Sequence, residues 1–160
     1  MKIKTMAISG IIAALYVAVS LLIAPLAYAA IQFRIPEVFN HLVVFNKKFI
    51  FGIVLGVFVT NLFSPLGMYD LFFGVSQSIL ALSITIFSAK FIAGIFKRMV
   101  FNTLVFTFTM FIIAFELNLA LELPFLLTWL TVAIGEFVVM TIGIPIMIAL
   151  NKRLNFEKLI

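Results

Sequence analysis

Long apolar stretches alternate with short polar segments along almost the whole chain. Six of these stretches approach the roughly 20 residues that an α-helix needs to cross a bilayer. The pattern predicts an all-α integral membrane protein, with six transmembrane helices in a single domain over residues 1–160. The predicted helices cover residues 6–28, 30–46, 49–65, 67–89, 99–117 and 124–150.

Composition supports a membrane location and excludes several kinds of chemistry. Hydrophobic residues make up 65% of the chain and charged residues 11%, and the mean hydropathy is +1.31. These values are too apolar for a water-soluble domain with one core. The chain has no cysteine, so disulfides, thiolate catalysis and zinc–thiolate sites are excluded. We expect neither a cofactor nor a metal.

The first apolar stretch has two interpretations. The sequence "MKIK", the apolar run and "AYA" before Ala30 are also typical of a secretory signal peptide with its cleavage site. The apolar run, however, is about 20 residues long, against about 7–15 in signal peptides. We therefore expect a helix that is retained in the membrane.

Positively charged residues predict the orientation of the helices. If both termini are cytoplasmic, ten of the eleven Lys and Arg residues fall on the cytoplasmic side, and only Arg34 falls outside. Because the basic residues are scattered, orientation in the membrane explains the net charge of +5 better than binding to nucleic acid does. The ten are Lys2, Lys4, Lys47, Lys48, Lys90, Lys97, Arg98, Lys152, Arg153 and Lys158.

Acidic residues have the opposite distribution. An ionised side chain at the bilayer centre costs roughly 2.5 kcal/mol or more, so within a span it usually faces the bundle interior, a partner or a water-filled cavity. We therefore expect a polar binding site near the outer face. The outer acidic residues are Glu37, Asp70, Glu116, Glu122 and Glu136, whereas Glu157 is cytoplasmic.

Glu136 follows Trp129 by seven residues, which places both on one face of the last helix. An indole above a buried carboxylate would form a stacking wall over a polar anchor. The alternative is a structural bridge from Glu136 to Arg34 or to a hydroxyl group. Glu116, which ends the fifth helix, is another candidate for the site, whereas we expect Glu122 to be a solvated loop charge.

Asp70 and Gln77 repeat this spacing of seven residues, and Gly74 leaves space on their face. Asp70 has a second interpretation as the N-terminal cap of the fourth helix, where a carboxylate accepts free N–H groups. Asn61, near the outer end of the third helix, is a candidate for the site.

Arg34 and Glu37 are three residues apart and are expected to pair at the mouth of an outer cavity. The alternative is an ordinary interfacial pair, which contributes little to stability. His41 is the only histidine in the chain, so a metal site is a poor interpretation. We expect it to pack or to form a hydrogen bond.

Small residues recur every four positions in the first helix, at Gly10, Ala14 and Ala18. Such a stripe lets another helix approach closely. It indicates either a docking surface for a partner or packing within the chain.

Four segments, taken in order, resemble one known family. They are "IQFRIPE", "GVFVTNLFSPLGMYDLFFG", "FELN" and "LTWLTVAIGE", and the resemblance covers nearly the whole chain. The family is QueT, the queuosine-precursor S components of energy-coupling factor (ECF) transporters. The chain departs from it at Pro36, where serine is typical, and in the less regular segment "VFNHLVVF".

The resemblance implies a six-helix S component in a prokaryotic cell membrane, with an outward-facing pocket capped by the first outer loop. It also implies docking on a transmembrane T component through the small-residue face of the first helix, and transport driven by two cytoplasmic ATPases. The implied substrate is 7-aminomethyl-7-deazaguanine or queuine. Carboxylates suit the amine and N–H groups of such a base, an amide or arginine its carbonyl, and Trp129 its flat ring.

Two other classes of function can be compared with this one. An intramembrane enzyme would need a nucleophile with a base, or a metal site, and the chain has no glycine-rich nucleophile motif and no second histidine. A proton-coupled carrier for a small cationic or nucleobase-like solute is the second hypothesis, with Glu136 as proton relay. The chain has no P-loop, so any ATP would be hydrolysed by another chain.

Overall fold

The computed structural model of this protein describes residues 3–23 and 32–160, which form helices and turns without a strand. The α-helices are α1 Ile3–Leu22, α2 Leu42–Phe45, α3 Ile50–Asn61, α4 Val75–Ser88, α5 Ile95–Leu121, α6 Phe125–Leu154 and α7 Phe156–Leu159. Short 3-10 helices, Ile35–His41 and Lys47–Phe49, precede α2 and α3, and a π-helical turn, Asp70–Gly74, precedes α4.

Within the described residues, four helical segments are long and apolar enough to cross a membrane: α1, α4 together with its π-helical turn, α5 and α6. They correspond to the first, fourth, fifth and sixth predicted helices, and the all-α fold class is confirmed. The end of the first predicted helix and the "AYA" segment lie outside the described residues.

The second and third predicted helices are shorter in the structure. The second is a continuous apolar helix only over Ile35–Phe45, and Pro36 lies in its first turn, where its missing N–H is tolerated. Asn46 then adopts extended backbone (φ −149°), and its side chain accepts a hydrogen bond from the N–H of Lys48 at 3.1 Å. Because α3 has only 12 residues, the six-span count and the cytoplasmic location of both termini stay predictions.

Glycines of α3 allow α1 to pack closely against it. A Cβ atom on Gly52 would lie 2.8 Å from the carbonyl oxygen of Ser9, and one on Gly56 would lie 2.7 Å from Cβ of Tyr16. Both partner residues on α1 are buried. Any larger side chain at either glycine would therefore push the two helices apart.

The small-residue stripe of α1 lies on an exposed part of the helix. Gly10, Ala14 and Ala18 are all exposed, and a Cβ atom on Gly10 would meet no atom within 4 Å. Packing among the described residues therefore does not use this stripe, and docking of a partner on it stays a prediction.

His41 lies in the middle of the bundle and is fully buried. Its Nε2 lies 2.9 Å from the carbonyl oxygen of Met140, and its Nδ1 lies 3.2 Å from the side-chain nitrogen of Asn102. Asn102 in turn accepts a hydrogen bond from Thr85 at 2.6 Å. A neutral imidazole that donates from Nε2 and accepts at Nδ1 satisfies this chain, which confirms the expected role as a hydrogen-bond partner.

One end of the bundle carries several of the basic residues, and we call it the basic end. Lys4 donates to the carbonyl oxygen of Lys158 at 3.3 Å, which joins the start of α1 to α7. Asn46 donates to the carbonyl oxygen of Ile160 at 3.2 Å, and Arg98 donates to that of Val44 at 2.7 Å. The described ends of the chain, the turn before α3 and the start of α5 are therefore close together.

Candidate ligand-binding site

A polar cavity lies at the other end of α1 and α3. The volume open to the centre of a water molecule is about 60 Å³. Its wall combines the last turns of α1 and α3, the segment around the first 3-10 helix and the start of the fourth helical segment. The lining residues are Tyr16, Ser20, Ile23, Arg34, Pro36, Glu37, Val57, Thr60, Asn61, Asp70, Gly74 and Ser78.

Asp70 reaches this cavity from the first position of the π-helical turn, a deviation that is frequent at functional sites. The Ser64 hydroxyl donates to its carboxylate, and the Asn61 amide donates to its backbone oxygen at 2.8 Å. Tyr69 occupies the cap position and forms no side-chain cap bond, so the capping interpretation of Asp70 is not supported. Gly74 makes room for Asn61, since a Cβ atom there would lie 2.5 Å from the amide nitrogen.

Glu37 is buried and receives two hydrogen bonds. The Tyr16 hydroxyl donates to Oε1 at 3.1 Å, and the Asn40 amide donates to Oε2. Its backbone N–H also donates to the carbonyl oxygen of Arg34 at 2.9 Å, which closes the first turn of the 3-10 helix. Arg34 and Glu37 both line this cavity, and their pairing at its mouth stays a prediction.

Glu116 and Glu136 are buried without hydrogen-bond partners. Glu116 on α5 is 0% exposed and Glu136 on α6 is 1% exposed, and none of their four carboxyl oxygens has a partner among the described residues. A hydrogen-bonded bridge from Glu136 is therefore not observed. Glu116 lies beside the carboxyl group of Asp70, and Glu136 lies within electrostatic range of Glu37 and Arg34.

Buried carboxyl groups without partners are costly, and such groups in native proteins call for an explanation. A cationic or N–H-rich ligand would supply the missing donors. The five groups Arg34, Glu37, Asp70, Glu116 and Glu136 form what we call the carboxylate cluster. The sequence had placed all four of these carboxylates in the outer half of the bundle.

Gln77 and Trp129 are not among the residues that line the cavity. Gln77 is buried and donates to the Thr109 hydroxyl at 2.9 Å. The Trp129 ring packs edge-on against Phe108 and Phe111, with centroids 5.7 and 6.2 Å apart. It lines a separate, mostly apolar pocket between α5 and α6.

Several lining residues were not among the predicted site residues, chiefly Tyr16, Ser20, Thr60 and Ser78. Tyr16 and Ser20 are one helical turn apart, so a polar stripe at the end of α1 was the available signal. Hydroxyl groups inside apolar helices are common, however, and often bond to the helix backbone. Ser20 does so, donating to the carbonyl oxygen of Tyr16 at 2.7 Å.

Comparison with known proteins adds to this geometry. A family model described as "QueT transporter" matches residues 6–152. The chain belongs to the QueT transporter family. A relative from Lactococcus lactis subsp. cremoris (strain MG1363), named "Queuosine precursor transporter QueT", is 36% identical over 158 residues, which cover 93% of this chain and 93% of the relative. No solved structure matches this chain.

Membership of the QueT family confirms the resemblance seen in the sequence. The family and the relative are transporters, so the protein is a transport protein and not an enzyme. With its four long apolar helices, this QueT family member is a multi-pass membrane protein.

Proposed function

We propose that the chain is the substrate-binding S component of an ECF importer and binds a queuosine precursor, either 7-aminomethyl-7-deazaguanine or queuine, on the extracellular side. Family membership supports the substrate class. The observation that carries the proposal is the carboxylate cluster beside a polar cavity, in which Glu116 and Glu136 are buried with no hydrogen-bond partner among residues 3–23 and 32–160.

The chemistry of the ligand matches this cluster. Both precursors have a positively charged amine and several N–H donors, and carboxylates are the acceptors that bind such groups most strongly. Asn61 would donate to the carbonyl oxygen of the base. Tyr16, which lines the cavity, offers an aromatic face for the flat ring.

Ligand entry requires the cavity to widen. The space open to the centre of a water molecule is about 60 Å³, well below the roughly 300–1,000 Å³ of ligand pockets, so a two-ring base with a side chain needs more room. The carboxyl groups of Glu116 and Glu136, which do not line the present cavity, would become part of the widened site. Gln77 and Trp129, predicted from the sequence as ligand contacts, would meet the ligand only after a rearrangement.

The proposed partners rest on the exposed surface of α1 and on the resemblance to ECF S components. The small-residue stripe Gly10, Ala14 and Ala18 is exposed on α1, and such a stripe suits close docking of a transmembrane T component. The chain has no P-loop, so any ATP would be hydrolysed by another chain, and the resemblance to ECF S components implies two cytoplasmic ATPases. The location would be a prokaryotic cell membrane, with both termini and the basic end in the cytoplasm.

A proton-coupled carrier is the second candidate, because Glu116 and Glu136 lie in membrane-spanning helices with unpartnered carboxyl groups. Uptake into proteoliposomes separates the two. We expect the chain alone to bind 7-aminomethyl-7-deazaguanine without accumulating it, whether or not a proton gradient is imposed. Accumulation should require the T component, both ATPases and internal ATP. Uptake by the chain alone, driven by a proton gradient, would favour the carrier.

A further inference from the structure

The carboxylate cluster contains one positive charge. The Arg34 guanidinium lies within electrostatic range of the carboxyl groups of Glu37, Asp70 and Glu136, and also of Glu116. These four carboxyl groups come from separate parts of the chain, namely the first 3-10 helix, the π-helical turn, α5 and α6. All four side chains are at least nine-tenths buried. Arg34 lines the cavity together with Glu37 and Asp70, so its guanidinium is the cationic group of the cluster that can offset these carboxyl groups.

The position of Arg34 in the chain suits a side chain that moves. Residues 32–34 are not helical, and Arg34 stands at the cap position of the first 3-10 helix with φ −87° and ψ 70°. It lines the cavity together with Glu37 and Asp70, and it is only partly buried. Rotation of its long side chain toward solvent would not unfold a helix.

Electrostatics then place Arg34 in competition with a cationic ligand. Buried carboxylates need a positive partner, because an uncompensated buried charge is strongly destabilising. An incoming amine satisfies the same carboxylates and makes the guanidinium redundant, and two cations at one place repel each other. A neutral ligand brings no replacement charge and leaves Arg34 where it is.

We propose that Arg34 sets the charge selectivity of the site: it occupies the position of the ligand amine in the empty protein and is displaced when a cationic ligand binds. This inference rests on the proposed function for the identity of the ligand. It differs from the expected pairing of Arg34 with Glu37 at the cavity mouth, because it predicts that removing the arginine improves binding of a cation relative to a neutral analogue.

The test compares two ligands that differ in the amine. Affinities of 7-aminomethyl-7-deazaguanine and of its neutral analogue 7-methyl-7-deazaguanine are measured by calorimetry for the wild type, Arg34→Gln and Arg34→Lys. We expect the preference for the amine to rise about tenfold or more in Arg34→Gln and to stay near the wild-type value in Arg34→Lys. An unchanged or smaller preference in Arg34→Gln would overturn the proposal.

A second variant covers the case in which Arg34→Gln does not fold. The chain has no cysteine, so Arg34→Cys can be modified at one position with an aminoethyl or with a methyl methanethiosulfonate reagent. The aminoethyl adduct, which carries a positive charge, should show the lower preference for 7-aminomethyl-7-deazaguanine over 7-methyl-7-deazaguanine. Equal preferences in the two adducts would contradict displacement of a positive charge.

A third measurement does not depend on the identity of the ligand. Millimolar methylguanidinium chloride should raise the melting temperature of Arg34→Gln, because it supplies the missing counter-ion, and should leave the wild type unchanged. Sodium chloride at equal ionic strength is the control. If wild type binds neither deazaguanine while methylguanidinium still rescues the variant, the proposed substrate is wrong and the role of Arg34 stands. No rescue would contradict that role.

Discussion

At the scale of single residues, the acidic side chains divide into satisfied and unsatisfied groups. Glu37 accepts hydrogen bonds from Tyr16 and Asn40, as expected for a carboxylate that shapes the site before the ligand arrives. Glu116 and Glu136 accept none from the part of the chain that the structure describes. A buried acceptor without a partner costs about 1–3 kcal/mol of stability. A ligand that donates hydrogen bonds to these two carboxyl groups removes this cost, which favours its binding.

Trp129 provides the first prediction at this scale. Its role as a stacking wall remains untested, but its ring packs with Phe108 and Phe111 in a pocket separate from the cavity. We therefore expect Trp129→Leu to leave the affinity for 7-aminomethyl-7-deazaguanine within about threefold of wild type, since no direct contact is lost. It should lower the melting temperature, because a large aromatic side chain is truncated.

The measurement for Trp129→Leu is calorimetric titration, since the variant lacks the only tryptophan of the chain. Tyr16→Phe is the matched comparison, because it keeps a ring in the cavity but removes the hydroxyl that donates to Glu37. Tyr16→Phe should weaken binding more than Trp129→Leu does. If Trp129→Leu weakens binding more than Tyr16→Phe does, Trp129 belongs to the site and the cavity rearranges around it.

Much of the site was predictable residue by residue, because charge inside an apolar sequence is informative. Arg34, Glu37, Asn61 and Asp70, all predicted as site residues, line the cavity, and their contact with a ligand stays a prediction. Trp129 was a different case, since a shared helix face does not tell whether that face points to a cavity or to a neighbouring helix. In a membrane protein the outer surface is as apolar as the core, so hydropathy does not separate these two directions.

At the scale of the helices, the sequence predicted their order better than their lengths. The stretch around α3 is an uninterrupted apolar run, and hydropathy alone does not show where such a helix ends. The stretch around α2 is interrupted by polar residues such as Glu37, Asn40 and His41. The breaks come from local groups, namely Pro36 in the first turn of the 3-10 helix and the extended backbone at Asn46. The apolar residues of α2 pack in the core of the bundle instead of facing lipid.

The two faces of α1 provide the second prediction. Ala13 is buried and Ala14, its neighbour, is exposed, so a bulky side chain has opposite consequences at these positions. Ala14→Trp should leave ligand binding to the isolated chain intact and abolish assembly with the T component, because close helix approach is blocked. Ala13→Trp should destabilise the isolated chain through overpacking.

Both effects can be measured with purified chains, by ligand titration and by copurification with a tagged T component. Ala18→Trp serves as a second variant on the exposed stripe. Loss of ligand binding in Ala14→Trp and Ala18→Trp would mean that the stripe packs within the chain. If both variants still assemble normally with the T component, the stripe is not part of the docking surface.

At the scale of the whole molecule, the chain has two chemically different ends. The basic end joins the described chain ends through Lys4, Lys158 and Asn46. The carboxylate cluster and the cavity lie toward the other end of α1. This separation agrees with the distribution of charges along the sequence, and it predicts that the basic end is cytoplasmic.

Labelling of single cysteines tests this orientation, which is the third prediction. Lys97→Cys and Glu122→Cys mark the two ends of α5, both at exposed positions. About 38 Å of helix separates them, which exceeds the roughly 30 Å hydrocarbon core of a bilayer. The first should react with impermeant thiol reagents only from inside, and the second only from outside. Labelling of both from one side would contradict the proposed orientation.

The central claim is that buried carboxylates of this chain bind the queuosine precursor, and titration of Glu136→Gln tests it most directly. The substitution keeps the shape of the side chain and removes its charge. Glu122→Gln, at an exposed position at the end of α5, is the matched control. The titrants are 7-aminomethyl-7-deazaguanine and queuine, and melting temperatures verify the fold.

We expect wild type and Glu122→Gln to bind one of these ligands with similar affinity. Glu136→Gln should lose about 1.5–3 kcal/mol of binding free energy, or one to two decades in Kd, because a hydrogen bond between charged groups is lost. Failure of wild type to bind either ligand, or equal affinity in Glu136→Gln with an intact fold, would contradict the proposed carboxylate site.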